Sequence, residues 1–186
     1  MNKLHLVLII GTTRVGRMTL HAANLVHKIG LEFEELEIKV VDVKDFFPLP
    51  GEGNDPESQN PEWLKINKWS DGYFIVAPEY NHSFPGSLKM LLDNDLKNYN
   101  HKSVGIAGVS SGMVGGARMV ESLVGTVREM GLFPTSSDIY FPKVQEMFEE
   151  NGELKIEFES ETERIRKSYK ELIWLTKTLK YGRENF

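Results

Sequence analysis

LHLVLII at 4–10 runs directly into GTTRVGRMT at 11–19. Leu4 to Ile10 is an almost unbroken apolar run, the pattern of a strand buried on both faces in a parallel sheet. Beyond Gly11–Arg17, Ala22, Ala23, Val26 and Ile29 recur at helical spacing until Gly30 stops them. Leu36, Ile38 and Val40 then alternate and Val41 and Val43 follow, which predicts a second strand. The stretch from Lys44 to Pro61 is rich in Pro, Gly, Asn and Asp and reads as a long surface loop, with a short helix after it over Trp63 to Trp69. Tyr73 to Ala77 is a third buried strand, halted by Pro78. Pro85 suits the first turn of another helix, with Ser83 available as its cap and Leu88, Leu91 and Leu92 as its inner stripe. Val104 to Val109 reads as a glycine-rich fourth strand, and Ala117, Val120, Val124 and Val127 mark a helix ending near Gly131. Thr135 to Phe141 is a weaker fifth strand at an edge, and Phe158, Ile165, Tyr169, Leu172, Thr176 and Leu179 mark a long closing helix.

Strands alternating with helices at this spacing give the α/β class, a parallel sheet covered on both faces. Five strands in 186 residues suit a single doubly wound, flavodoxin-like domain over 1–186. Ligands of that class sit beyond the carboxyl ends of the strands, at the switch point of the sheet. The loops after strands one, three and four are therefore the informative ones.

Composition narrows the chemistry further. With 22 basic and 27 acidic residues the net charge is −5, and the scattered Lys and Arg argue against nucleic acid as partner. The chain has no cysteine, which excludes thiolate zinc sites, cysteine nucleophiles and iron–sulfur clusters. No apolar run is long enough to span a bilayer, and MNKLHLVLIIGTTR reads as a first strand rather than a signal peptide, so a cytoplasmic protein is expected.

Gly11-Thr12-Thr13-Arg14-Val15-Gly16-Arg17-Met18-Thr19 offers glycines for a tight turn, backbone N–H groups at a helix N-terminus, three hydroxyls and two guanidinium groups. That combination suits an anionic phosphate. Gly11 and Gly16 have the separation of a nucleotide P-loop, but Arg17 replaces the lysine and Met18 the Ser/Thr that would ligate magnesium. A phosphate monoester held by donors alone fits better than a metal-bound triphosphate. The alternative is that Arg14 and Arg17 are solvated charges on a helix start, where the helix dipole disfavours cations.

Pro78-Glu79-Tyr80-Asn81-His82-Ser83-Phe84-Pro85-Gly86 is a stiff loop able to hold the rim of a planar polar ring, though Tyr80 and Phe84 could instead pack on the next helix. Val109-Ser110-Ser111-Gly112-Met113-Val114-Gly115-Gly116-Ala117 lets a flat ligand approach the backbone, or is simply a turn with close helix–sheet packing. The five histidines show no metal-ligand spacing, no serine sits in a GxSxG elbow, and Glu121, Glu129 and the acidic stretch from Glu146 to Glu163 read as solvated surface. Neither a catalytic side chain nor a metal ligand is expected.

GTTRVGR at 11–17 resembles the phosphate loop of the NADPH-dependent FMN reductase family, commonly Gly-Ser-x-Arg-x-Gly-Arg/Ser. PEYNHSFPGSLKMLLD at 78–93 is similar to that family's most distinctive motif, and SSGMVGGAR at 110–118 to its third flavin loop. The resemblance runs from about Leu4 to Pro134. Thr12 stands where serine is usual, which keeps the hydroxyl, and Met90 stands where asparagine is common. By position, the resemblance implies that Thr12, Arg14, Arg17 and Thr19, with Met18 among them, hold the phosphate of FMN. Pro78, Glu79, Tyr80 and Asn81 would line the edge of the flavin ring largely through backbone groups, and Ser110, Ser111 and Gly112 its other side. It also implies a sheet order of 2-1-3-4-5 and a homodimer or homotetramer.

The function these features lead to is an FMN-dependent oxidoreductase that takes hydride from NADPH or NADH and reduces a small acceptor such as a quinone or free flavin. The alternatives are a flavodoxin-type electron carrier, against which Arg14, Arg17 and the modest charge of −5 count, and a flavin-free module that binds a phosphorylated ligand.

Overall fold

The structure is a computed structural model and describes residues 3–53 and 55–186; residue 54, inside the loop expected over 44–61, and residues 1 and 2 lie outside the described residues. Strands β1 (Leu4–Ile10), β2 (Leu36–Asp42), β3 (Gly72–Pro78) and β4 (Lys102–Val109) pair in parallel in the order β2-β1-β3-β4. β3 and β4 are buried at every position and β1 at all but His5, as their apolar composition requires of strands covered on both faces. Along β1, Leu6, Leu8 and Ile10 face one layer and Val7 and Ile9 the other. The first layer is α1 (Thr19–Gly30) and α6 (Ser160–Asn185); the second is α2 (Pro61–Trp69), α3 (Gly86–Asp93) and α4 (Ala117–Glu129). Each large side chain fully enclosed in these layers, among them Trp63, Phe74 and Leu91, contributes roughly 1.5–3 kcal/mol of transfer free energy. The Tyr169 hydroxyl donates to the Val26 carbonyl at 3.1 Å, fastening α6 to α1.

The helices begin where local chemistry permits. Asn60 caps α2 by accepting from the N–H groups of Glu62 and Trp63, and Pro61 follows at the first position. This places the start of α2 ahead of the expected Trp63. Ser83 does not cap α3, contrary to expectation. Pro85 occupies the position before Gly86, and the Ser83 hydroxyl is instead hydrogen-bonded to that of Ser122 on α4 at 2.8 Å.

The fifth strand also differs from expectation. In place of one strand over Thr135–Phe141 there are two short ones, β5 (Leu132–Pro134) and β6 (Ile139–Phe141), both parallel to β4. β5 pairs with Lys102 to Val104 and β6 with Ala107 to Val109, so residues 135–138 bulge outward where β4 advances only through Gly105 and Ile106. Pro134 has no N–H to continue a ladder, and the Ser136 N–H and both serine hydroxyls of 136–137 donate to the Glu171 carboxylate on α6. The chain then forms α5 (Val144–Met147) and a 3-10 turn at Ile156–Phe158, neither evident from the apolar pattern. The order β2-β1-β3-β4-β5 puts the switch point between β1 and β3. Among the described residues, no helix is long and apolar enough to cross a membrane.

Candidate functional site

At the end of β1 the Gly11 N–H donates to the Val76 carbonyl at 2.8 Å, and a Cβ on Gly11 would come within 2.8 Å of the Ala77 Cβ. This glycine is required by the approach of β1 to β3. Gly16 has a different duty: it has φ +66°, a left-handed conformation that glycine adopts at little cost, with open space around it. Val15 and Gly16 form a hydrogen-bonded turn, and among the described residues the backbone N–H groups of Val15, Gly16 and Met18 have no acceptor. They precede the N-terminus of α1, whose first turn has no acidic side chain. The Arg14 guanidinium is exposed at this turn and has no carboxylate partner among the described residues. Free amides, a helix N-terminus and an unpaired cation fit a phosphate group.

Arg17 is arranged otherwise. Its side chain is only 6% exposed; one guanidinium nitrogen donates to the Thr12 carbonyl at 2.6 Å, and the other is bonded to the Asp42 carboxylate at the end of β2. Thr12 is buried, with its hydroxyl accepting from the Arg14 N–H at 3.3 Å and bonded to the Tyr80 hydroxyl at 3.1 Å.

Beyond β3, the Glu79 N–H donates to the Val109 carbonyl at 2.9 Å, and Tyr80 and Ser83 exchange two backbone hydrogen bonds around Asn81 (φ 51°) and His82 (φ 65°). Two positive φ angles inside a two-residue loop are the mark of a type I′ turn, which sets the backbone of 79–81 firmly at the cleft rim. The Glu79 carboxylate accepts from the Arg118 N–H at 3.2 Å and from its guanidinium at 3.3 Å, on the first turn of α4, where a negative charge is favoured.

The third loop divides its glycines. Cβ atoms on Gly115 and Gly116 would meet backbone at 3.0 Å and 2.6 Å, so these two serve close packing of α4 on β4 and β6. Gly112 meets only the Ser110 hydroxyl, at 3.4 Å. The segment after β6 holds the loop: Ser110 N–H donates to Phe141 carbonyl, Val144 N–H to Ser110 carbonyl and Lys143 N–H to Gly112 carbonyl, all at 3.0–3.1 Å. The Gln145 amide donates to the Ser111 carbonyl at 3.3 Å.

These loops enclose a cleft of about 340 Å³ at the carboxyl ends of β1, β3 and β4. It brings together Arg14, Arg17, Met18 and Thr19 from the first loop, Pro78, Glu79 and Tyr80 from the second, and Ser110 and Ser111 from the third. Thr12 and Asn81 border an adjoining hollow of about 650 Å³ that shares Arg14, Glu79 and Tyr80; Gly112 lines neither. Val144 and Gln145 line the cleft without having been expected, and Asp42 and Arg118 support its walls. Nothing in the local pattern of 142–145 marks it, because β6 alone carries it there. A larger hollow of about 900 Å³ between α1 and the start of α6 lies away from the strand ends. Its Arg166 is already paired with Glu32 and Glu163.

The match to known proteins agrees with this geometry. A quinone reductase of Pseudomonas putida is 33% identical over 89 residues, covering 44% of this chain and 47% of that protein, so the match spans about half the length of the curated relative. Among solved structures, FerB, a flavoenzyme NAD(P)H:(acceptor) oxidoreductase from Paracoccus denitrificans, superposes with a TM-score of 0.73 at 21% identity, over 94% of this chain and 98% of that one. An oxidoreductase from Corynebacterium diphtheriae superposes with a TM-score of 0.73 at 16% identity, over 95% and 98%. These two likenesses show the fold. The model of the family described as NADPH-dependent FMN reductase matches residues 4–146, reaching through all three loops and the Val144–Gln145 wall, and the chain belongs to that family.

Proposed function

We propose that this protein is an FMN-dependent oxidoreductase that oxidises NADPH or NADH and reduces a small acceptor, a quinone or a free flavin. The observation that carries the reading is the meeting of an unpaired Arg14, the free amides of Val15, Gly16 and Met18 and two rigid rims in one cleft at the switch point. FMN bound there would supply the hydride and electron transfer, for which the protein need provide only binding, orientation and electrostatics. Arg14 and the amides before α1 would hold the phosphate, Thr19 adding a hydroxyl. The type I′ turn would present the backbone of Pro78 to Asn81 to one edge of a flat ring; Ser110 and Ser111, held from behind by 141–145, would face it from the other side, with Gly112 next to them in the loop but outside the cleft lining. The Glu79 carboxylate is engaged by Arg118, so no proton-transferring role is assigned to it.

The proposal extends to the whole of 1–186 as one flavin-binding unit, to a cytoplasmic setting in keeping with a cysteine-free sequence, and to a homodimer or homotetramer. Val15 at 95% and Met113 at 81% exposure flank the cleft and offer apolar surface that a second copy would cover. The test is direct. Purified protein should carry or take up FMN, bleach when mixed anaerobically with NADPH or NADH, and recover its colour on adding a quinone or flavin. A yellow protein that neither nicotinamide bleaches would be an electron carrier, and one that takes up no flavin would end the redox reading.

A further inference from the structure

We propose that Asp42 is a positioning residue for the phosphate-binding loop and acts through Arg17, which is a brace of that loop and not itself a phosphate ligand; this rests on the phosphate reading above. Asp42 is the last residue of β2 and pairs in register with Ile10, the last residue before the loop. Its carboxylate is held from behind, one oxygen accepting from the Lys44 N–H at 3.1 Å and the other lying 3.5 Å from the Lys44 ammonium. Thus fixed, it grips one side of the Arg17 guanidinium, whose other side takes the Thr12 carbonyl at 2.6 Å. The Arg17 side chain is 6% exposed and that of Asp42 12%, so the pair sits largely out of water, where it is poorly screened.

The consequence for an anion is geometric and electrostatic together. A backbone cradle attracts phosphate only while its carbonyl dipoles point elsewhere. Drawing the Thr12 carbonyl onto Arg17 turns one such dipole away and anchors the base of the loop that offers the free amides of Val15, Gly16 and Met18. The same pairing neutralises a cation that would otherwise lie against the positive end of α1. Arg14 is left as the cation facing the cleft. Only a planar fork reaches both Thr12 and Asp42, which a lysine does not supply.

FMN and riboflavin share the ring and differ in the phosphate, so the ratio of their affinities reads the loop alone. With parent protein and variants titrated by flavin fluorescence, Asp42→Asn should weaken FMN binding about tenfold or more and leave riboflavin within about twofold. Arg17→Met should match it, the double variant should be no worse than Arg17→Met, and Arg17→Lys should not restore FMN. If Arg17 is instead a direct phosphate ligand, Asp42→Asn frees its charge, and unchanged or tighter FMN binding overturns the proposal. A parent that binds FMN no more tightly than riboflavin overturns the phosphate reading itself and the brace with it. Should Asp42→Asn not fold, Asp42→Glu keeps the charge and displaces it by one methylene; a lowered FMN-to-riboflavin ratio supports the brace and an unchanged ratio refutes it.

Discussion

Arg14 faces the cleft with no carboxylate beside it among the described residues, and it is the side chain on which phosphate affinity should depend most directly. Arg14→Ala removes a charge-assisted contact and should cost FMN binding about 1.5–3 kcal/mol, read by fluorescence titration. The place of Arg14 in the cleft was legible, because a cation in a glycine-bearing turn after the first strand lies at the carboxyl end of the sheet. The pairing of Arg17 was not: its partner Asp42 is brought opposite the loop only by the β1–β2 register. A different side chain gives a pH signature. Asp138, in the bulge between β5 and β6, has one carboxylate oxygen buried without a partner, and burial raises its pKa from 3.8 to about 6. Across that interval the folded protein keeps a proton that the unfolded chain has released, so stability falls as pH rises and levels off above about 6. Because the group is only partly buried, Asp138→Asn should gain about 1 kcal/mol at neutral pH and almost nothing near pH 4, in urea melts at the two values.

Between β4 and α4, two glycines four positions apart in the chain carry opposite loads. Gly116 has φ +88° and a Cβ would lie 2.6 Å from the Val109 nitrogen, whereas a Cβ on Gly112 meets nothing closer than 3.4 Å. Gly116→Ala should therefore lower stability by about 2–4 kcal/mol, and Gly112→Ala by less than about 0.5, in the same denaturation assay. The sequence showed a glycine-rich turn and left ligand approach and close packing both open; the structure assigns packing to Gly115 and Gly116 and leaves Gly112 as the open position. The helices and buried strands were readable because apolar spacing of 3.6 or a continuous apolar run reports directly on burial. The type I′ turn at 80–83 was not, since Asn81-His82 lacks the glycine that usually announces it.

At the scale of the whole molecule, a ligand that binds the folded chain alone must raise its stability. FMN at a hundred times its dissociation constant should add about 2.7 kcal/mol, with riboflavin at the same concentration adding less, as a shift of the urea midpoint. The parallel sheet could be anticipated from strand–helix alternation and its order from the resemblance of the three loops, but the wall formed by Val144 and Gln145 could not, because it depends on where the last stretch of sheet delivers the chain. That last stretch has a further consequence. Since β5 and β6 each span three residues and the chain leaves the plane at 135–138, this flank offers no continuous row of unsatisfied amides and carbonyls. A foreign strand laid alongside would lose its register after a few residues, which protects a sheet otherwise rich in valine and isoleucine from templating fibrils through that flank.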